Sequence, residues 1–549
     1  MRALNNQMKS LGNRSFRGLP EGFAESARLF PLRPALTVEG RELTYEELGH
    51  RAARIASAIA MFEPCDHPLG AVLASRSITA YAAILGILSS GKGYVPLNPK
   101  FPIERTRNML ARSGARVLLV DHSGQVQLSR LLSGFETPLT IVAPEGSRDE
   151  SIIEAFPQHL FIWRDELPDA ALLEIQPADS NSIAYLLFTS GSTGEPKGVP
   201  ISHSNVCSYI ASTRRRYGVD EHDRLSQEFD LTFDLSVHDM FLAWESGACV
   251  CCVPEKAVMA PAKFIRESEL TMWFSVPSVI GFLSKMKLLV PKCFPTLRWS
   301  LFCGESLPAG YAEQWQQAAP NSVVENLYGP TETTIAITRY RWDSRASPSE
   351  CLNGIVPIGQ PYEGQCVAVV DQDFRPVPVG QNGELCLGGS QVTQGYWNDP
   401  QKTAQQFVRL EGDHHRVWYR TGDLVKQSPD GCLRYVGRAD HQVKIRGYRV
   451  ELQEIEGVLR VACKTEQVAA VPWPLSNGNA DGIVAFITAS ETANGQQILE
   501  NCREVLPDYM IPRKIYRLEE MPLNSNGKID RKTLSRYLLD GVCGELITR

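Results

Sequence analysis

The sequence predicts a layered α/β fold that gives way to a compact β-rich piece and ends in a small α+β unit. Three observations predict this. Apolar β-branched runs alternate with amphipathic helical stretches through most of the chain, the pattern of α/β layers. From about Gly354 the runs shorten and are punctuated by Gly, Pro and Asp. After Val436 come a turn, a strand pair and a helix, "GRADHQVKIRGYRVELQEIE".

Taken in order, "TYEELGHRAARIASAIAMF" (Thr44–Phe62) reads as a helix, with Thr44 as N-cap, Glu47 three residues later and apolar residues at helical spacing. "GAVLAS", "VLLVDH", "PLTIVAP", "IAYLLFTS" and "ACVCCVP" read as buried strands. "GQCVAVVD", "GELCLGG" and "CLRYVGR" alternate more tightly and suggest an antiparallel or barrel-like piece.

The chain has 549 residues, 43% hydrophobic and 21% charged, an ordinary globular composition. Single cores rarely grow beyond ~300 residues, so at least two domains are expected. Lys+Arg total 56 and Asp+Glu 62, a net charge of -6, without the basic excess of a nucleic-acid footprint. The polar start, "MRALNNQMKSLGNRSFRG", has no apolar stretch of a secretory signal. Apolar runs such as Ala80–Leu88 and Ala248–Val253 fall far short of the ~18 residues of a membrane span. Of 14 cysteines, Cys249 and Cys252 have CxxC spacing, but no second pair or nearby His completes a zinc site. Reduced core thiols in a cytoplasmic protein are the expectation.

"LLFTSGSTGEPKGVPISHSN" follows a predicted strand. Thr189 to Gly198 holds three glycines, four Ser/Thr hydroxyls and one lysine. Such a loop offers N–H groups and hydroxyls to phosphate oxygens. It departs from the Walker A pattern, because Lys197 follows Pro196 and precedes Gly198.

Four further stretches follow in order: "ENLYGPTETT", "YRTGDL", "GRADHQVKIRGYRVELQEIE" and "NSNGKIDRK". With the loop, "GYVPLNPKFPIER" and "GELCLGGSQVTQGYW", the set resembles the adenylate-forming superfamily: acyl-CoA synthetases, luciferases and the amino-acid adenylation domains of nonribosomal peptide synthesis. The resemblance runs from about Leu43 to Lys532. It implies a flexible N-terminus over 1–20, a large AMP-binding domain over 21–439, and a small mobile α+β lid over 440–549, joined by a hinge at Asp440.

The resemblance also implies roles. A carboxylate would attack the α-phosphate of ATP, giving an adenylate and pyrophosphate; a thiol would then displace AMP. Thr189, Ser190, Gly191, Ser192, Thr193, Gly194 and Lys197 would enclose the phosphates, with Thr189 also a catalytic group. Glu332 would be the Mg²⁺ carboxylate, a hard oxygen ligand. Tyr328 would stack on adenine; Gly304, Asn326, Gly329 and Thr331 would line the nucleotide site. Asp423 would accept the ribose hydroxyls, with Arg438 beside it. Lys528 would be the catalytic lysine, bridging carboxylate and α-phosphate.

"LTFDLSVHDMF" divides amino-acid from fatty-acid activation. In the adenylation domains that it resembles, the aspartate, here Asp234, pairs with the substrate ammonium. Capping the following helix is the other use of an Asp there. Phe233 would gate the thiol channel. Leu235, His238, Phe274, Leu301, Cys303, Leu327, Ile335 and Ala336 would line a mostly apolar side-chain pocket. A small or medium neutral amino acid is expected: proline, alanine, serine, threonine or a modest aliphatic. His238 is open between binding a hydroxyl and packing against its helix. The chain stops soon after Lys528, so the expected partner is a separate phosphopantetheinylated carrier protein. An acyl- or aryl-CoA synthetase, a D-alanine–carrier protein ligase and a nucleotide-binding regulator without turnover remain alternatives.

Overall fold

The computed structural model describes residues 17–548 except 64–66, 171, 192–195, 259, 440–441, 477–478, 489–493 and 524–528. The helix at Tyr45–Phe62 starts on a capping box: Thr44 accepts from the Glu47 amide and the Glu47 side chain accepts from the Thr44 amide. Two large sheets follow from the buried strand runs. One has seven strands, with Ile183–Thr189 and Lys197–Ser202 as an antiparallel pair at its edge and parallel neighbours elsewhere. The other has nine strands, with a parallel centre that includes Met272–Ser275, Trp299–Phe302 and Val323–Tyr328.

Helices Ile78–Ser89 and Leu235–Ser246 share one core with strands of both sheets. Each is buried nearly all round, which is why neither shows a polar face in sequence. The region after Gly354 forms a five-stranded antiparallel sheet around the long strand Asp413–Gln427. The C-terminal part begins with the hairpin Gln442–Ile445/Tyr448–Glu451 and helix Leu452–Cys463, then a four-stranded sheet with its own core. This is the mixed α/β architecture, with a small α+β unit at the end, that the sequence predicts. Among the described residues no helix is long and apolar enough to cross a membrane.

The small unit is seated on the large one. Arg105 and Glu454 pair at 2.6 Å with side chains only 8% and 1% exposed. Tyr448 lies edge-on to Phe233 at 4.5 Å and stacks on Tyr509 at 3.8 Å.

Candidate active site

The site lies where open α/β sheets place one, beyond the carboxyl ends of the strands. Strand Ile183–Thr189 delivers Thr189 and the loop after it, and Thr189 pairs in register with Lys197. Strand Trp299–Phe302 leads to Gly304, and Val323–Tyr328 leads to the turn Gly329–Thr334. Gly329 has a local reason: a Cβ there would lie 2.6 Å from the Ala336 Cα.

Glu332 sits at the centre, fully buried. Its Oε1 accepts from the Tyr396 hydroxyl at 2.9 Å and faces Lys197 Nζ at 3.2 Å. Its Oε2 accepts from Arg449 Nη1 at 2.9 Å. Burial alone would raise this carboxyl, but Arg449 and Lys197 outweigh it and hold it well below the usual carboxylate range. Lys197 is pulled down to about 8, by burial first and then by Arg449, against Glu332. Ser190 donates to the Arg449 carbonyl at 2.6 Å. Thr189 Oγ1 is buried without a partner.

A cavity of about 580 Å³ opens beside this cluster, lined among others by Gly304, Asn326, Tyr328, Gly329, Asp423 and Arg438. Asp423 accepts from the Tyr328 hydroxyl and, at 2.9 Å, from Arg438. Asn326 donates to the Val356 and Pro357 carbonyls, and its Oδ1 is buried without a partner.

A smaller cavity of about 110 Å³ reaches Phe233, Asp234, Leu235, Cys303, Thr189 and Thr331. Asp234 precedes helix Leu235–Ser246 but makes no side-chain capping bond. Burial pushes its carboxyl up to about 7, against the Thr331 hydroxyl and the Ile335 amide, and Oδ2 has no partner. Of the eight residues predicted to line the side-chain pocket, Leu235 and Cys303 reach this cavity, and Leu327 reaches the larger one. His238, Phe274, Leu301, Ile335 and Ala336 line neither cavity: all five are fully buried, and the last four share one core with Leu235, Cys303 and Leu327. His238 packs edge-on to Phe274 at 4.8 Å and shares a 2.8 Å hydrogen bond with Tyr209. Burial takes its pKa down to about 3, so the ring is neutral, and its Nε2 has no partner.

Thr334 and Ile335 carry φ of 60° and 72°, left-handed values that cost β-branched residues of order 1–3 kcal/mol each. Gln391 holds them. Its side-chain amide nitrogen faces the carbonyls of Thr333, Thr334 and Ala336 at 3.3, 3.2 and 2.8 Å, and its backbone carbonyl accepts from Thr334 Oγ1 at 2.6 Å.

Ser192, Thr193, Gly194, Asp440 and Lys528 lie outside the described residues. Tyr396, Gln391 and Arg449 join the site without having been singled out in the sequence. Each sits inside a stretch that carried the resemblance, "GELCLGGSQVTQGYW" or "VKIRGYRVELQEIE", and that was the available signal.

Residues 23–397 match the model of the AMP-binding enzyme family. The chain belongs to this family. It is similar to the Vibrio cholerae adenylation domain AlmE, whose structure holds glycyl-adenosine-5'-phosphate: 36% identity, 96% of this chain, 99% of that one, TM-score 0.86. It is 33% identical to tyrocidine synthase 1 of Brevibacillus parabrevis over 93% of this chain and 44% of that protein. It is 32% identical to surfactin synthase subunit 2 of Bacillus subtilis over 94% of this chain and 14% of that one. The chain therefore spans less than half the length of these two curated relatives. It is an adenylate-forming enzyme of the adenylation-domain type, a class that uses ATP.

Proposed function

We propose that this AMP-binding enzyme activates a small neutral amino acid, of the size of glycine or alanine, as its aminoacyl-adenylate with release of pyrophosphate, and passes the acyl group to the phosphopantetheine thiol of a carrier protein. The observation that carries the amino-acid reading is Asp234. It is a buried carboxyl with one oxygen free, in a cavity that also reaches Thr189 and the turn before Glu332. A substrate ammonium is the natural partner for such a group, and an acid lacking the amine leaves it desolvated and alone. The small size follows from closure behind Leu235 and Cys303, and from the glycyl-adenylate held by AlmE.

The larger cavity suits a nucleoside. Asn326 Oδ1 is an acceptor in want of a donor, such as the exocyclic amine of adenine, and Asp423 is an acceptor for a diol. Glu332, ionised and fully buried, with the unpartnered Thr189 hydroxyl near the same site, has the hard oxygen chemistry that Mg²⁺ requires. When bound, the ion would neutralise phosphate charge beside Lys197. Thr189, Ser190, Gly191 and Lys197 would line the phosphate path, and Phe233 against Tyr448 would border the thiol's entry.

Amino-acid-dependent ATP–pyrophosphate exchange tests this reading. Glycine, alanine or serine is expected to drive it. Exchange driven by phenylalanine or leucine, and not by these, would overturn the size assignment.

A further inference from the structure

The small cavity that reaches Asp234 also reaches Leu235, Cys303 and Gly304. The helix and the strand end meet there: a Cβ on Gly304 would stand 3.8 Å from Leu235 Cδ1. His238 follows Leu235 by three positions on helix Leu235–Ser246, so the two side chains share a face. Its imidazole lies among three rings, all edge-on: Phe274 at 4.8 Å, Tyr209 at 5.8 Å and Tyr217 at 6.3 Å. Among the described residues its side chain makes one hydrogen bond, from Nδ1 to the Tyr209 hydroxyl at 2.8 Å. Tyr209 is fully buried and comes from a different helix, His203–Tyr217.

The bond has a direction. Burial first, then Tyr362, Tyr217 and Cys303, hold the Tyr209 phenol well above its ordinary value, so it keeps its proton. The hydroxyl has no second acceptor among the described residues. Its proton is therefore assigned to Nδ1, and the neutral imidazole carries its own on Nε2. That Nε2 is buried without a partner. Nothing polar holds the ring from its far side, so the Tyr209 bond is what selects one rotamer and one tautomer.

We infer that Tyr209 is a positioning residue for substrate size: through His238 it keeps the small cavity closed at Leu235 and Cys303. The inference rests on the small-amino-acid reading proposed above. Discrimination against larger side chains is then set in part from helix His203–Tyr217, by a residue that lines neither cavity. Cys303 links the two places, because it lines the small cavity and its thiol is also among the groups that act on the Tyr209 phenol. Of the two uses open to His238, this one is packing, with the hydrogen bond as its tether.

The test is ATP–pyrophosphate exchange with alanine and with leucine in the full chain. Tyr209→Phe keeps the ring and removes only the hydroxyl. It is expected to lower the alanine-to-leucine ratio of kcat/KM about fivefold, the scale of one hydrogen bond, chiefly through a lower leucine KM. His238→Ala is expected to lower the ratio as well, and Tyr209→Phe added to it is expected to change nothing further. Nitrogen-15 NMR of histidine-labelled protein reads the tether itself. The His238 signal, identified by its loss in His238→Ala, is expected as the Nε2–H tautomer in the wild type and as a mixture in Tyr209→Phe. A wild-type ratio in Tyr209→Phe, additive effects in the double variant, or an unchanged tautomer would each overturn the inference and leave the proposed function standing. A wild-type enzyme that prefers leucine to alanine would overturn the size reading on which it rests.

Discussion

The Tyr396 hydroxyl donates to Glu332 Oε1 at 2.9 Å while accepting from Lys197 at 3.2 Å. One neutral group thereby fixes the carboxylate and the lysine that the proposed mechanism needs beside the phosphates. Tyr396→Phe keeps the ring, which packs against Phe407 at 5.5 Å, and removes only the hydroxyl. A hydrogen bond to a charged group is worth about 1.5–3 kcal/mol. Exchange is expected to fall about tenfold or more, with a higher Mg²⁺ requirement, in a titration of exchange rate against Mg²⁺.

Gln391 braces a turn with two left-handed β-branched residues. Gln391→Ala leaves buried carbonyls short of a donor, at a cost of about 1–3 kcal/mol. Gln391→Glu, ionised, would set an acceptor against the same carbonyls and is expected to cost at least as much. Denaturant unfolding measures the loss. The amino-acid KM is expected to rise too, because the Ile335 amide in this turn meets the Asp234 carboxyl.

Asp234 sets a pH dependence. Burial raises its carboxyl from 3.8 to about 7. In the unliganded enzyme its contribution to stability is full below 3.8 and is lost as pH rises to about 7. Binding an ammonium needs the ionised form, so kcat/KM for the amino acid is expected to climb as pH rises through about 7 and then level off. Asp234→Asn is expected to give a low, flat profile over that range in a pH series of exchange rates.

Glu228 and Asp239 form a second acidic site, 6% and 1% exposed, each with an unpartnered oxygen. Burial pushes both carboxyls well above their ordinary values; Glu305 raises Glu228 further and Glu228 raises Asp239 further, while Arg76 opposes both rises. Their contribution is therefore present in acid and lost as pH rises. Asp239→Asn is expected to raise the Tm in alkaline buffer and to change it little in acid, by thermal melts across pH.

What could be read from sequence was local. The Thr44–Glu47 capping box, the buried strand Cys249–Cys252 and the hairpin after Gln442 each carry their signal within a few residues. The resemblance added, by motif, Glu332, Asp234 and the loop after Thr189 that is proposed to hold phosphate. What could not be read depends on residues far apart in the chain. Arg449 meets Glu332 across 117 positions and Gln391 meets Ala336 across 55. Closure of the pocket behind Leu235 and Cys303 depends on how Phe274, His238 and Tyr209 pack together, which no periodicity encodes.

The central claim is that Asp234 makes this an amino-acid-activating enzyme. The most direct measurement compares alanine with propionate in ATP–pyrophosphate exchange, in the wild type and in Asp234→Asn. Polar discrimination of this kind reaches ~10⁴. The account predicts strong exchange with alanine, almost none with propionate, and loss of the alanine signal in the variant. Exchange with propionate equal to that with alanine, unaffected by Asp234→Asn, would contradict it and mark a carboxylic acid–thiol ligase with no amine anchor.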